Sequence, residues 1–319
     1  VDDKALWSVL VLPDGRILLG GRGQLFWYER HSGRLSSKRI IAGDDPFQRV
    51  NLMTLMPDGS IWMQVHGVGL QQRSVDGRLL RQLRPGGPER LLDELILQLR
   101  PGPDGGLWIT SEGGVQRWHD NQLVTVSGLP ADLPVYDIVF AYPDLVWLAG
   151  EGMIGRYRWT DNRLQLQEHA GPAEGVPSVS LGGLLLADSG QVWATSSRGL
   201  VRWAGKGQVQ VFGISDGLAE TEFLDHPPSR NARRGLALNS GGLVHFDLDQ
   251  PPQPLPPSQL QISALEVRVA DSARLQPRPL LGGLVTLQPD DRELLVTARL
   301  LTHVGRNSQR YRFRLRDHE

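Results

Sequence analysis

The chain has 319 residues with 35 acidic against 34 basic side chains, a formal charge of −1, so no global field draws it to nucleic acid or to an acidic membrane surface. It contains no cysteine, which excludes a disulfide scaffold, a cysteine metal site and a thiol nucleophile, and suits an oxidising compartment. No apolar run approaches the ~18 residues of a membrane span and no signal peptide is visible, while 37 glycines and 22 prolines in a chain this long suit one large repeat domain with a smaller one.

From residue 6 onward one unit recurs. Trp7 to Leu12 reads as an apolar strand, Asp14-Gly15 as a turn, Arg16-Ile17-Leu18 as a second strand and Gly23-Gln24-Leu25-Phe26-Trp27 as a third. The sharpest copy follows: Leu52 to Met56, Pro57-Asp58-Gly59-Ser60-Ile61-Trp62, then Gly69-Leu70-Gln71-Gln72. The third runs from Leu95 to Leu99 through Asp104-Gly105-Gly106-Leu107-Trp108 to Gly114-Val115-Gln116-Arg117-Trp118. The fourth, Tyr136 to Phe140 with Asp144-Leu145-Val146-Trp147 and Gly155-Arg156-Tyr157-Arg158-Trp159, lacks the turn glycine. Ser189-Gly190-Gln191-Val192-Trp193 with Gly199-Leu200-Val201-Arg202-Trp203 makes the fifth, and Ala237 with Gly242-Leu243-Val244-His245-Phe246 the sixth.

Aligned on the second strand, Leu18, Trp62, Trp108, Trp147, Trp193 and Ala237 lie 44, 46, 39, 46 and 44 residues apart, the period of a β-propeller blade. The Asp-Gly pair supplies the positive φ angles of a hairpin turn, and Trp with β-branched residues suits a strand pressed between neighbouring sheets. Each unit therefore predicts three strands and a more variable fourth. Gly87 to Leu95 has a helix-like start and is read as a connection between blades. Residues 1–249 make an all-β propeller of six visible repeats, closing as six blades or as seven with the first cut away. The opening on Val1, directly in an inner-strand pattern, leads to the expectation of a piece of a longer protein.

A boundary follows. Residues 250–258 hold five prolines in nine positions and are read as a stiff spacer. Residues 259–319 then predict strands at Leu260 to Val269, Leu284 to Leu287, Glu293 to Leu300 and Arg310 to Arg316. In the last, Tyr311, Phe313 and Leu315 alternate with arginines, as in a strand packed on one side and wet on the other. Four strands and an abrupt end suggest an immunoglobulin-like β-sandwich that is C-terminally incomplete.

These features together resemble a known family. The Asp-Gly-x-Leu/Ile-Trp-x-x-x-x-Gly-Leu unit is similar to the two-component regulator propeller repeat, and Ser215-Asp216-Gly217-Leu218-Ala219-Glu220-Thr221-Glu222-Phe223 with Gly241-Gly242-Leu243-Val244-His245-Phe246-Asp247 is similar to its terminal repeat. Leu260-Gln261-Ile262 through Tyr311-Arg312-Phe313-Arg314-Leu315 resembles the triple-tyrosine domain that follows such propellers. The resemblance implies the periplasmic sensory region of an inner-membrane signalling protein, whose output module is a histidine kinase, often hybrid, or a diguanylate cyclase. The membrane segment and output module are not in this chain, which would bind and transmit without catalysing. The expected assembly is a homodimer through the C-terminal domain.

There is no His-Glu-x-x-His and no Asp-rich calcium loop. Ala204-Gly205-Lys206-Gly207 lacks the glycine and the helix of a phosphate loop and reads as a hairpin turn. The eight histidines are scattered, so neither a metal nor a cofactor is expected. In a propeller the loops between second and third strands and those joining blades share one face, and variation over a rigid scaffold is where specificity is built. Arg49, His66, Glu112, Tyr136, Asp137, Glu151, Arg198 and Glu222 are the expected ligand-binding residues there, suited to a small polar solute or oligosaccharide. A protein-interaction scaffold is the first alternative. The second is a propeller lyase or glycosidase using a pair such as Glu112 and Glu151.

Overall fold

The structure, a computed structural model, describes residues 5–42, 47–87, 90–130, 133–141, 144–207, 209–224, 227–249, 259–270, 272–280 and 284–301. The chain divides into two compact units, Val1–Gln250 and Pro251–Glu319. The Pro-rich stretch 250–258 and the predicted strand Arg310–Arg316 lie outside the described residues.

In the first unit the strands form six antiparallel meanders in chain order. Sheet 1 holds β1 (Ser8–Val11), β2 (Ile17–Gly20), β3 (Gln24–Glu29) and β4 (Arg34–Arg39). Sheet 2 holds β5 (Val50–Leu55), β6 (Ile61–Val65), β7 (Gly69–Arg73) and β8 (Leu79–Leu83). Sheet 3 holds β9 (Ile96–Pro101), β10 (Leu107–Ser111), β11 (Gly114–His119) and β12 (Gln122–Thr125). Sheet 4 holds β13 (Asp137–Ala141), β14 (Leu145–Gly150), β15 (Met153–Thr160) and β16 (Arg163–Ala170). Sheet 5 holds β17 (Leu181–Leu186), β18 (Val192–Ser196), β19 (Gly199–Trp203) and β20 (Gln210–Phe212), and sheet 6 the three strands β21 (Ser229–Asn231), β22 (Arg234–Asn239) and β23 (Gly242–Asp247). First strands of successive sheets run side by side, from β1 beside β5 to β13 beside β17.

The Asp-Gly turns differ in detail from the two-residue hairpin that the sequence suggests. Gly15, Gly59, Gly105 and Gly190 alone take positive φ, between 76° and 82°, and each donates its N–H to the carbonyl three residues earlier. A Cβ at any of the four would meet nothing within 4 Å, so the backbone angle and not space requires glycine there. The preceding aspartate accepts an amide proton instead: Asp14 Oδ1 from Arg16 N, Asp58 Oδ1 from Ser60 N and Asp104 Oδ1 from Gly106 N, at 3.0, 2.8 and 3.1 Å. Two-residue turns with both φ positive occur elsewhere, at Asp120-Asn121 and Asp161-Asn162, joining third to fourth strands.

The tryptophans lie between sheets, as their spacing suggests. Trp62 meets Trp118 of the next sheet at 5.8 Å between ring centroids, Trp108 meets Trp159 at 5.3 Å, Trp147 meets Trp203 at 5.4 Å and Trp193 meets Phe246 at 4.8 Å. Around these rings the described apolar residues form five clusters, one at each seam from sheets 1 and 2 to sheets 5 and 6. Burial follows from position. Every residue of β6, β10 and β18 is buried, because both faces of those sheets are covered. In β22 burial alternates, and in β1 Val9 and Val11 are 65% and 62% exposed while Leu243 of β23 is 66% exposed. Sheets 1 and 6 each present one uncovered apolar face.

In the second unit β24 (Gln259–Val269) pairs with β25 (Leu275–Pro277) on one edge and β26 (Asp291–Leu301) on the other. Leu265 and Val267 are its buried residues. Arg278 Nη2 pairs with Asp291 Oδ1 at 2.6 Å, and Asp291 Oδ2 accepts from Gln288 N. Leu284 to Leu287, predicted as a strand, is not one. β26 runs along one edge of β24 from Gln259 to Val269, β25 takes Glu266–Arg268 of the other, and the Asp291 carboxylate ties down the turn that follows Leu287.

Candidate functional site

Loops between second and third strands meet the start of the next sheet on one face, and hydrogen bonds seal the described junctions. Val50 N donates to Gly21 O, Val135 N to Ser111 O, Gly152 N to Val179 O and Phe223 N to Ser196 O, at 3.1, 3.3, 2.9 and 3.2 Å. At the junction of sheets 2 and 3 a side chain does this, Gln64 Nε2 donating to Glu94 O at 3.2 Å. Asp-Gly turns and the turns between third and fourth strands lie at the opposite ends of the strands.

Seven of the eight residues expected to bind a ligand lie on or at the rim of the sealed face. Arg49 is half-buried, with its guanidinium 6.0 Å from the Trp7 ring, and its carbonyl accepts from His66 N at 2.9 Å, which brings these two together. Tyr136 is half-buried and donates its N–H to Ala149 O. Glu112, Glu151, Arg198 and Glu222 are exposed. Glu151 bridges to Ser180, Arg198 N donates to Ser196 Oγ, and Glu222 O accepts from Ser240 N. Among the described residues, no hydrogen bond or ion pair joins the side chains of any two of the eight, and no cluster of three or more His, Asp or Glu has the geometry to hold a metal ion.

Asp137, the eighth, is fully buried and accepts four hydrogen bonds. Arg100 Nε and Nη2 donate to its two oxygens at 3.0 and 2.7 Å, Ile138 N donates at 2.7 Å and Leu184 N at 2.7 Å. Arg100 comes from sheet 3, Asp137 from sheet 4 and Leu184 from sheet 5. Burial pushes the Arg100 guanidinium pKa down, but the charge and hydrogen bonds of Asp137 outweigh it and hold the pKa above its ordinary value. This carboxylate joins three first strands, and a solute reaching it would have to displace a bidentate arginine.

A second concavity was not anticipated. A cavity of about 540 Å³ lies beside β7 and β8 of sheet 2 and the connection that leaves sheet 1, lined by Ile40, Gln48, Val68, Gln71, Arg73 and Gln82 among others. Its signal is present in the sequence. Four residues after the turn glycine stand Trp27, Trp118, Trp159, Trp203 and Phe246, but in the second copy Arg73.

No protein-family model matches the chain, and no curated protein matches it. Solved structures do. The extracellular domain assigned to a hybrid two-component system of B. thetaiotaomicron matches with a TM-score of 0.64 at 18% identity, over 88% of this chain and 39% of that one. The extracellular domain assigned to a one-component system of the same organism matches at 0.60 and 12%, over 91% and 40%. The WD40 propeller domain of Doa1 matches at 0.56 and 13%, over 75% and 77%. Meandering sheets, inter-sheet tryptophans and these likenesses together define the first unit as a β-propeller. The chain spans about two fifths of the length of the two extracellular domains. No described helix is long and apolar enough to cross a membrane.

Proposed function

We propose that this chain is the extracytoplasmic, ligand-sensing region of a membrane-bound signalling protein, built from two-component regulator propeller repeats and a triple-tyrosine domain. It resides in the periplasm as part of an inner-membrane protein whose output is a histidine kinase or diguanylate cyclase. The chain binds a solute on the varied-loop face and passes the signal through its C-terminal unit, paired in a homodimer, without catalysing. The observation that carries this reading is the extent of the structural likeness. The match to the hybrid two-component domain covers 88% of the chain, more residues than the propeller unit holds, whereas the Doa1 match covers 75% and stays within a propeller's length. The uncovered apolar faces of sheets 1 and 6 favour a ring of seven blades over one of six, with a further sheet covering both.

A thermal-shift screen against sugars, oligosaccharides and amino acids tests the sensing reading. Binding to the folded state alone adds about 2.7 kcal/mol at a ligand concentration near one hundred times Kd, so a saturable rise in Tm is expected. Tyr136→Ala and Arg198→Ala should each remove it. A shift unaltered in both variants takes the site away from the loop face, and consumption of the hit during incubation replaces sensing with catalysis.

Transmission has its own test in the full-length parent protein. Because a proline-rich segment passes on orientation and a Gly/Ser chain absorbs it, replacing Pro251, Pro252, Pro254, Pro256 and Pro257 by Gly and Ser should silence the output while leaving ligand affinity unchanged. An output that still follows the ligand removes the stiff-spacer mechanism.

A further inference from the structure

The varied-loop face differs from the rest of the propeller in exposed apolar groups and in charge. Ile214 and Leu224 are 61% and 46% exposed, and Phe47, Leu92 and Leu95 stand out of two other connections on the same face. In the turns of the opposite face no described large apolar side chain is exposed. Ile214 and Leu224 belong to the segment 213–228 between β20 and β21, sixteen residues and the longest connection between two sheets. Connections of that length usually carry function. Asp216, Glu220 and Glu222 lie between the two apolar residues in the chain.

Charge sets the same face apart. The stretches that join second to third strands and one sheet to the next hold 13 acidic residues against five arginines, whereas the remainder of residues 1–250 holds 15 acidic against 19 basic. A negative face thus sits on a slightly positive body. The count is taken over the sequence and includes Asp44, Asp45, Glu89, Asp132 and Asp225, which lie outside the described residues. On the opposite face carboxylates are neutralised in place, Asp14 by Arg16, Asp104 by Arg117 and Asp144 by Arg158. On the loop face Glu112, Glu151, Glu220 and Glu222 are exposed, and none of the four enters an ion pair among the described residues. Unpaired carboxylates of one sign attract counter-charged solutes to the face that bears them.

We propose that the ligand sensed on this face is a free cationic peptide, laid in extended form over the 213–228 connection. Its basic side chains meet Glu220, Glu222 and the carboxylates of neighbouring loops, and its apolar residues cover Ile214 and Leu224. The proposal rests on the sensing reading above and names the class of solute. Glu112 follows a strand of sheet 3, Glu151 one of sheet 4, and Glu222 precedes sheet 6. Carboxylates spread over successive sheets suit a chain better than a single metal ion, for which no described cluster has the geometry.

Fluorescence anisotropy on the whole chain tests it, with a labelled peptide of two Lys to each Leu as probe. A counterpart with Gln in place of Lys, and oligolysine of equal charge, are each expected to bind more weakly by about tenfold or more. Added salt should weaken the probe, because exposed charges are screened. Replacing Glu112, Glu151, Glu220 and Glu222 together by Gln should lower its affinity by about tenfold or more at unchanged Tm. Asp120→Asn with Asp161→Asn, which removes charge from the opposite face, should not. Ile214→Ser with Leu224→Ser should bring the probe down to the level of oligolysine. Absence of saturable binding, equal binding of oligolysine, or an equal loss in the Asp120 and Asp161 variant overturns the proposal. A sugar or amino acid that raises Tm through Tyr136 and Arg198 while the peptide fails to bind overturns it too, and leaves the sensing reading standing. A peptide that binds here but leaves the output of the full-length parent protein unchanged overturns both.

Discussion

Asp137→Ala is expected to destabilise the propeller by about 3–5 kcal/mol, the range for removing one member of a buried ion pair, read as a lowered urea midpoint at unchanged slope. Three sheets would feel the loss. Arg100 would keep its charge in a largely buried place, 25% exposed, without its bidentate acceptor, and the N–H groups of Leu184 and Ile138 would lose the oxygens they now meet at 2.7 Å. Leaving a buried donor unpaired costs about 1–3 kcal/mol. Asp137→Asn should be milder, since the carboxamide keeps one acceptor oxygen but turns an N–H toward donors. Adding Arg100→Ala to Asp137→Ala should cost less than the sum of the two single losses, because the second change removes the stranded charge. A loss under about 1 kcal/mol for Asp137→Ala would mean that water replaces the carboxylate, and that the three first strands are held by packing alone.

Trp193→Ala is expected to cost a comparable amount, about 3–5 kcal/mol for truncating a large buried aromatic, but the damage should be local. The indole stacks on Phe212 of its own sheet at 5.4 Å, meets Phe246 of sheet 6 at 4.8 Å and donates Nε1–H to Leu248 O at 3.1 Å. Sheet 6 packs through this cluster, with Phe223, Ala237 and Leu248, and its other face is bare. Hydrogen exchange should therefore show β22 and β23 losing protection first while β6 and β10 keep theirs. Uniform loss across all six sheets would show instead that the unit unfolds as one cooperative block.

The repeat was legible because the residue that marks it is the residue that packs it: an indole between two sheets is too large to be replaced silently, and its period survives in the sequence. Which face carries the varied loops was legible too, since it follows from the meander. Finer features depended on partners remote in the chain. Asp137 reads as a polar group at a strand start, and nothing local shows that Arg100, 37 residues earlier, and the amide of Leu184 saturate it. The Asp-Gly pairs announce a turn, but not that the aspartate accepts the amide proton two residues on in place of taking positive φ. Leu284 to Leu287 has the apolar residues of a strand but forms none among the described elements. Arg73 was visible as a break in an aromatic register, but only the neighbouring sheet shows what the break leaves open.

The sealed junctions of the loop face bear on how such a propeller diverges. Four of the five described seals run from backbone N–H to backbone C=O, groups that every residue but proline supplies. Substitution there alters chemistry while leaving the seal intact, whereas an inserted or deleted residue shifts the register and breaks it. Selection for a new solute can therefore work through side-chain identity at nearly constant loop length, and descendants of one ancestor would be expected to differ most in composition, and least in spacing, where they meet their ligands.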